Sequence, residues 1–73
     1  MRYIVQQVYH TDSGAVTNAD VQDDQGRPTG VTMDDARGYD MDDLTVKRVI
    51  LEAASPQEAL GHALLGKGEA WNG

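Results

Sequence analysis

Cysteine is absent from this 73-residue sequence, which removes disulfides, thiolate metal sites and thiol nucleophiles together and leaves the redox compartment open. Apolar runs are short: none approaches the roughly 20 residues of a membrane span or the core of an export signal. The cytoplasm is therefore the default compartment. Basic charge is scarce too. Six Lys and Arg face twelve Asp and Glu, for a formal net charge of −6. The excess is local: residues 12–43 hold nine aspartates against Arg27 and Arg37, whereas the rest of the chain sets Arg2, Lys47, Arg48 and Lys67 against three glutamates. Such a middle region repels a polyanion or an acidic membrane surface, so neither direct nucleic-acid binding nor membrane association is expected.

Motifs that carry chemistry are missing as well. Ser13 and Ser55 accompany His10 and His62, but Ser13 suits a turn, Ser55 suits a helix cap, and no nucleophile-elbow pattern surrounds either. The paired aspartates lack an apolar wall that would split their pKa values for acid–base work. Neither Asp20–Gly26 nor Asp40–Asp43 has the ligand positions of an EF-hand loop, and two histidines without cysteine are too few for a zinc site in one chain. Gly66-Lys67-Gly68 follows a helix, where a phosphate-binding loop would precede one. No catalytic residue, metal site or cofactor is expected from these patterns.

What is present centres on residues 44–65. Leu44 to Ala54 reads as a strand in which Val49, Leu51 and Ala53 point one way and Ile50, Arg48 and Glu52 the other. Leu44 and Val46 join the Ile50 side unless a bulge at Lys47-Arg48 intervenes. Ser55 and Glu58 have the spacing of a capping box, and Pro56 takes the first helical position, where its missing N–H costs nothing. The predicted helix runs from Pro56 to about Leu65 and ends at Gly66, with Ala59, Leu60, Ala63 and Leu64 forming one apolar stripe. Gly61 costs about 1 kcal/mol relative to alanine at mid-helix. A helix this short needs a sheet to hold it.

Residues 2–10 read as a second strand, with Tyr3, Val5 and Tyr9 on one side interrupted by Gln7. Residues 15–21 form a weaker one, 23–30 an exposed loop, and Val31–Met33 a short strand that could return beside 15–21 as a hairpin. Residues 34–43 carry five aspartates and no burying period, so a solvated loop is expected, in which Tyr39 and Met41 either anchor to the core or are presented to a partner. Trp71, in the tail 67–73, is expected to fold back on the helix near Leu65, with exposure as an interaction anchor as the alternative.

The stretch Val49-Ile50-Leu51-Glu52-Ala53-Ala54-Ser55-Pro56-Gln57-Glu58-Ala59-Leu60 resembles a strand-to-helix Ser-Pro-x-Glu-Ala junction found in short uncharacterised proteins, many of them phage-encoded. The resemblance covers about a fifth of the chain and contains no catalytic residue. It implies a phage or mobile-element origin, and hence a host cytoplasm.

Together these readings predict a single small α+β domain over residues 1–73, made of an acidic segment 12–43, a strand–helix unit 44–66 and a tail. Its antiparallel sheet would have three or four strands, with strands 2–10 and 44–54 as the main pair and one C-terminal helix packed across it. A domain of this size buries only about 60% of its unfolded surface, so a partner or a second copy would add stability. The expected function is a protein-interaction module, an inhibitor or modulator that docks on a basic surface. Asp34, Asp35, Tyr39, Asp40, Met41, Asp42 and Asp43, with Ile50 and Trp71, would meet that partner. An assembly protein acting as a homodimer is the alternative, and an enzyme or metal protein with a site between subunits is the third reading.

Overall fold

The computed structural model describes residues 1–34 and 43–72. Five strands, β1 (Arg2–His10), β2 (Val16–Asp23), β3 (Pro28–Asp34), β4 (Leu44–Glu52) and β5 (Glu69–Ala70), form one sheet in the order β3-β2-β1-β4-β5. All four pairings are antiparallel. The helix α1 (Pro56–Leu64) packs against β1 to β4. This is the α+β arrangement expected, with one more strand than three or four: the tail supplies β5, which pairs Ala70 with Val49 and Glu69 with Ile50.

Alternation along the strands sorts the side chains onto two faces. Tyr3, Val5, Val21 and Val49 point toward the helix and join Ala53, Ala59 and Ala63 in a continuous buried core, with Val31, Leu51 and Leu60 packed at its margin. Gln7 falls on the same face and is buried there, its side-chain amide donating to the Ala63 carbonyl at 3.4 Å. The polar interruption in β1 is thus a tie between the sheet and the last turn of α1. Ile4, Gln6, Val8 and His10 face the other way, opposite Ile50, Arg48, Val46 and Leu44 in unbroken register. No bulge switches Leu44 and Val46, so they share the Ile50 side.

Two irregularities shape the far half of the sheet. The β1–β2 register shifts between Val8 and Tyr9, and buried Thr17 sits at the shift with its hydroxyl 3.0 Å from the Val8 carbonyl. In the β2–β3 pair the register shifts between Asp20 and Gln22, opposite a bulge containing Gly30 and held by the Thr29 hydroxyl, which donates to the Val21 carbonyl at 2.7 Å. The predicted loop 23–30 is therefore shorter than expected, because Pro28–Gly30 already belong to β3.

Ser55 caps α1 by accepting from the Glu58 N–H at 3.1 Å, a cap of the kind that contributes about 1 kcal/mol. The reciprocal half of the capping box is not made; the Glu58 carboxylate instead lies 3.7 Å from His62 Nε2, one turn on. At the other end Gly66 N–H donates to Ala63 O and Lys67 N–H to His62 O, both at 3.0 Å, the two bonds of a Schellman motif. Gly66, with φ +85°, supplies the left-handed residue that this motif requires. The contact stripe of α1 is narrower than the predicted one. Ala59 and Ala63 are buried, Leu60 is half-buried, and Leu64 is exposed with Leu65. Two alanines at i and i+4 give the helix a small-sided face toward the sheet, and the bulkier leucines fall to the flank.

Among the described residues no helix is long and apolar enough to cross a membrane.

Candidate functional site

The face of the sheet away from α1 holds most of the polar and charged side chains that strands present together. From β3 to β5 its rows read Pro28, Gln22, Ile4, Ile50 and Glu69; then Thr32, Asp20, Gln6 and Arg48; then Asp34, Asn18, Val8 and Val46. The β2–β3 half carries Asp20 and Asp34, whereas the β1, β4 and β5 side mixes Arg2 and Arg48 with Glu52 and Glu69, so the acidic excess of this surface lies toward β2 and β3. A groove of about 310 Å³ on the acidic half is lined by Val8, Asp20, Thr32 and Asp34 among others.

The predicted contact residues fall in different places. Asp34 ends β3 and is exposed. Asp43 is exposed just before β4, and its carbonyl accepts from Thr11 N–H at 2.7 Å, which fixes the start of β4 beside the β1–β2 turn; the Thr11 and Thr45 hydroxyls meet there at 2.6 Å. Asp35, Tyr39, Asp40, Met41 and Asp42 lie outside the described residues. Ile50 was expected to meet a partner but is only 8% exposed, and its neighbour Ile4 only 4%. The open apolar position on this face is Val46, 55% exposed, next to half-buried Val8 and Leu44.

Trp71 is also not where the sequence placed it. Instead of folding onto α1 near Leu65, its backbone N–H donates to the Arg48 carbonyl at 2.9 Å, continuing the β5 ladder. The half-buried indole lines a cleft of about 360 Å³ on the opposite face with Ile4, Gln6, Gln22 and Arg48. The fourth wall is the β2–β3 turn, Asp24 to Gly26. Proximity to the helix in sequence was the misleading cue; a two-residue strand has too short a pattern to announce itself.

The fold also gathers residues that the sequence left apart. His10, Asp12 and Asp43 each bring one potential ligand atom to within 4.8 Å of the others. This grouping depends on the β1–β4 register and has no signature in the linear spacing. Asp12 and Asp43 are exposed, and His10 Nδ1 lies 3.3 Å from the Ser13 hydroxyl. A nitrogen and two carboxylates could contact a divalent cation at the surface, but exposed carboxylates gather in this way without one, and the set has none of the enclosure of a structural metal centre.

Among the described residues no carboxylate forms an ion pair with a lysine or arginine; the single such contact of an acid is that of Glu58 with His62. Asp20 accepts from the Gln22 side-chain amide at 3.2 Å and Asp23 from the Gln25 and Arg27 backbone N–H groups at 2.9 Å. The Asp24 and Asp34 side chains have no hydrogen-bond partner among the described residues. Comparison with family models, with curated proteins and with solved structures returned no match.

Proposed function

We propose that the chain is a small acidic interaction module that docks on a basic surface of a larger protein and modulates it, in the manner of phage-type inhibitors. The observation that carries this reading is the unpaired state of the described carboxylates toward lysine and arginine. A surface whose acids were neutralised internally would have little reach, whereas this one projects its field into solvent and favours encounter with a cationic partner. Asp20 and Asp34 border one groove with Val8, a combination that suits a lysine or arginine laying its aliphatic stem on the valine and its charge against the acids. The sequence that follows β3, up to residue 43, holds four further aspartates, Tyr39 and Met41.

The expected result is capture of a basic protein from a host lysate at about 0.1 M salt and its release at about 1 M, where the screening length falls from about 10 Å to about 3 Å. Changing Asp20, Asp34, Asp40, Asp42 and Asp43 to Asn should abolish that capture. Recovery that survives both the salt and the substitutions refutes an electrostatic docking surface.

A second reading, self-association into a homodimer, is favoured by one feature: Val46 exposed beside Val8 and Leu44 on a sheet face that has no helix. Light scattering over a concentration series should then show a dimer that Val46→Lys converts to monomer. A wild-type monomer at every concentration eliminates it. An enzyme with a site between subunits has no comparable observation behind it.

A further inference from the structure

We propose that the cleft between Trp71 and the β2–β3 turn binds a neutral sugar ring. Buried Ile4 closes its floor and one wall is the half-buried indole, so a flat ring with a C–H face can lie against the aromatic surface. The opposite wall is rigid. Asp23 Oδ1 accepts from both Gln25 N–H and Arg27 N–H at 2.9 Å, and Asp23 N–H donates to the Arg27 carbonyl at 2.9 Å, which fixes the turn that presents Asp24 and Gln25.

The polar groups around this floor are already half-committed, and what they leave over is a mixed set. Arg48 Nε donates to Gln6 Oε1 at 2.8 Å, which leaves the Gln6 amide N–H and the outer guanidinium N–H groups as donors. Gln22 Nε2 donates to Asp20 Oδ2 at 3.2 Å, which leaves Gln22 Oε1 as an acceptor beside the Asp24 carboxylate. Hydroxyl groups both donate and accept, so a polyol satisfies such a ring of partners where a pure donor or a pure acceptor would leave some unmet. Charge selects in the same direction. Arg48 and Asp24 offset one another within the cleft, a cationic ligand meets Arg48, and an anionic one meets Asp24 and a chain of net charge −6. A volume of about 360 Å³ lies at the small end of the roughly 300–1,000 Å³ range of ligand pockets, in keeping with a single ring.

Trp71 is the only tryptophan, so its emission reports on the cleft directly. The intact chain is titrated with glucose, galactose, mannose and N-acetylglucosamine, with adenosine and uridine as aromatic-base controls and glucose 6-phosphate as the charge control. At least one neutral sugar should produce a saturable emission change with Kd on the order of 1 mM, and should shift the side-chain amide resonances of Gln6, Gln22 and Gln25. Asp24→Ala, on an exposed turn that does not use this side chain, should weaken that sugar about tenfold, the factor for one lost charged hydrogen bond. Glucose 6-phosphate should bind less tightly than glucose. No saturable response to any of the four sugars, a response to the nucleosides alone, unchanged affinity in a folded Asp24→Ala protein, or tighter binding of the phosphorylated sugar would each overturn the assignment.

Discussion

Replacing Tyr3 by alanine should remove about 3–5 kcal/mol of unfolding free energy, the usual cost of deleting a buried aromatic ring. Tyr3 is 5% exposed, lies on the central strand and belongs to the same buried cluster as Val5, Val21, Val49 and the two helix alanines. The other buried members of that cluster are valines and alanines, and the larger Leu51, paired with Tyr3 across β4, and Leu60 pack only at its margin, so the space is filled in part and most of the cavity term is retained. A domain of this length has a total stability of roughly 4–11 kcal/mol, and the substitution therefore consumes a large part of it. Thermal unfolding followed by circular dichroism should show a midpoint lower by about 15 °C or more. Tyr3→Phe keeps the ring and loses only a 3.5 Å contact from the hydroxyl to the Met1 sulfur, so it should stay within about 1 kcal/mol of wild type. A Tyr3→Ala protein equally close to wild type would mean that the core is not assembled around this side chain.

Substitution of Gly68 by alanine is the second large effect, and it acts on the tail. Gly68 has φ +100°, and an added Cβ would stand 3.2 Å from each of the Ile50 carbonyl, Leu51 Cδ2 and Val49 Cβ. The backbone conformation alone costs about 1–3 kcal/mol for a residue with a side chain, and the three contacts meet a backbone atom and two side chains already packed on β4. Relief comes by lifting residues 68–71 off the sheet edge, which breaks the bond from Trp71 N–H to the Arg48 carbonyl. The expected signature is a red shift of tryptophan emission together with loss of about 2 kcal/mol of stability. Gly61→Ala should have the opposite sign. Nothing lies within 4 Å of a Cβ there, and alanine gains about 1 kcal/mol over glycine inside a helix. An unshifted emission maximum in Gly68→Ala would show that β5 and Trp71 are not held as described.

The parts of this fold that could be read from sequence are those with a long period or a local hydrogen-bond signature. β1 was visible in its run of β-branched and aromatic residues, β4 in aliphatics on both faces, and the start and end of α1 in Ser55, Pro56 and Gly66. Pairing of β1 with β4 and the β2–β3 hairpin followed from the same reasoning. Position across long sequence separations was not legible. Ile50 looked uncovered because α1 lies on the other face, yet it is buried, and the open apolar site moved four residues to Val46. Leu60 and Leu64 outrank Ala59 and Ala63 on any hydropathy scale, but the side of α1 that faces the sheet is the alanine side. Of the site, the acidic bias was plain in the composition, whereas the Trp71 cleft requires β1, β2, β4, a turn and the tail to meet, and no spacing along the chain encodes that meeting.

The two borders of the sheet have a bearing on how this protein behaves when crowded. On one side, β3 begins with Pro28, which lacks an N–H, and carries a bulge at Gly30; on the other, β5 and Trp71 cover β4 from Arg48 to Ile50, and positive charge gathers where that cover ends, at Lys47 and Arg48. Each is a poor template for strand addition, since a broken ladder and clustered positive charge both discourage an incoming chain. Growth by edge-to-edge stacking, the route to fibrils and open-ended filaments, is therefore disfavoured from both directions.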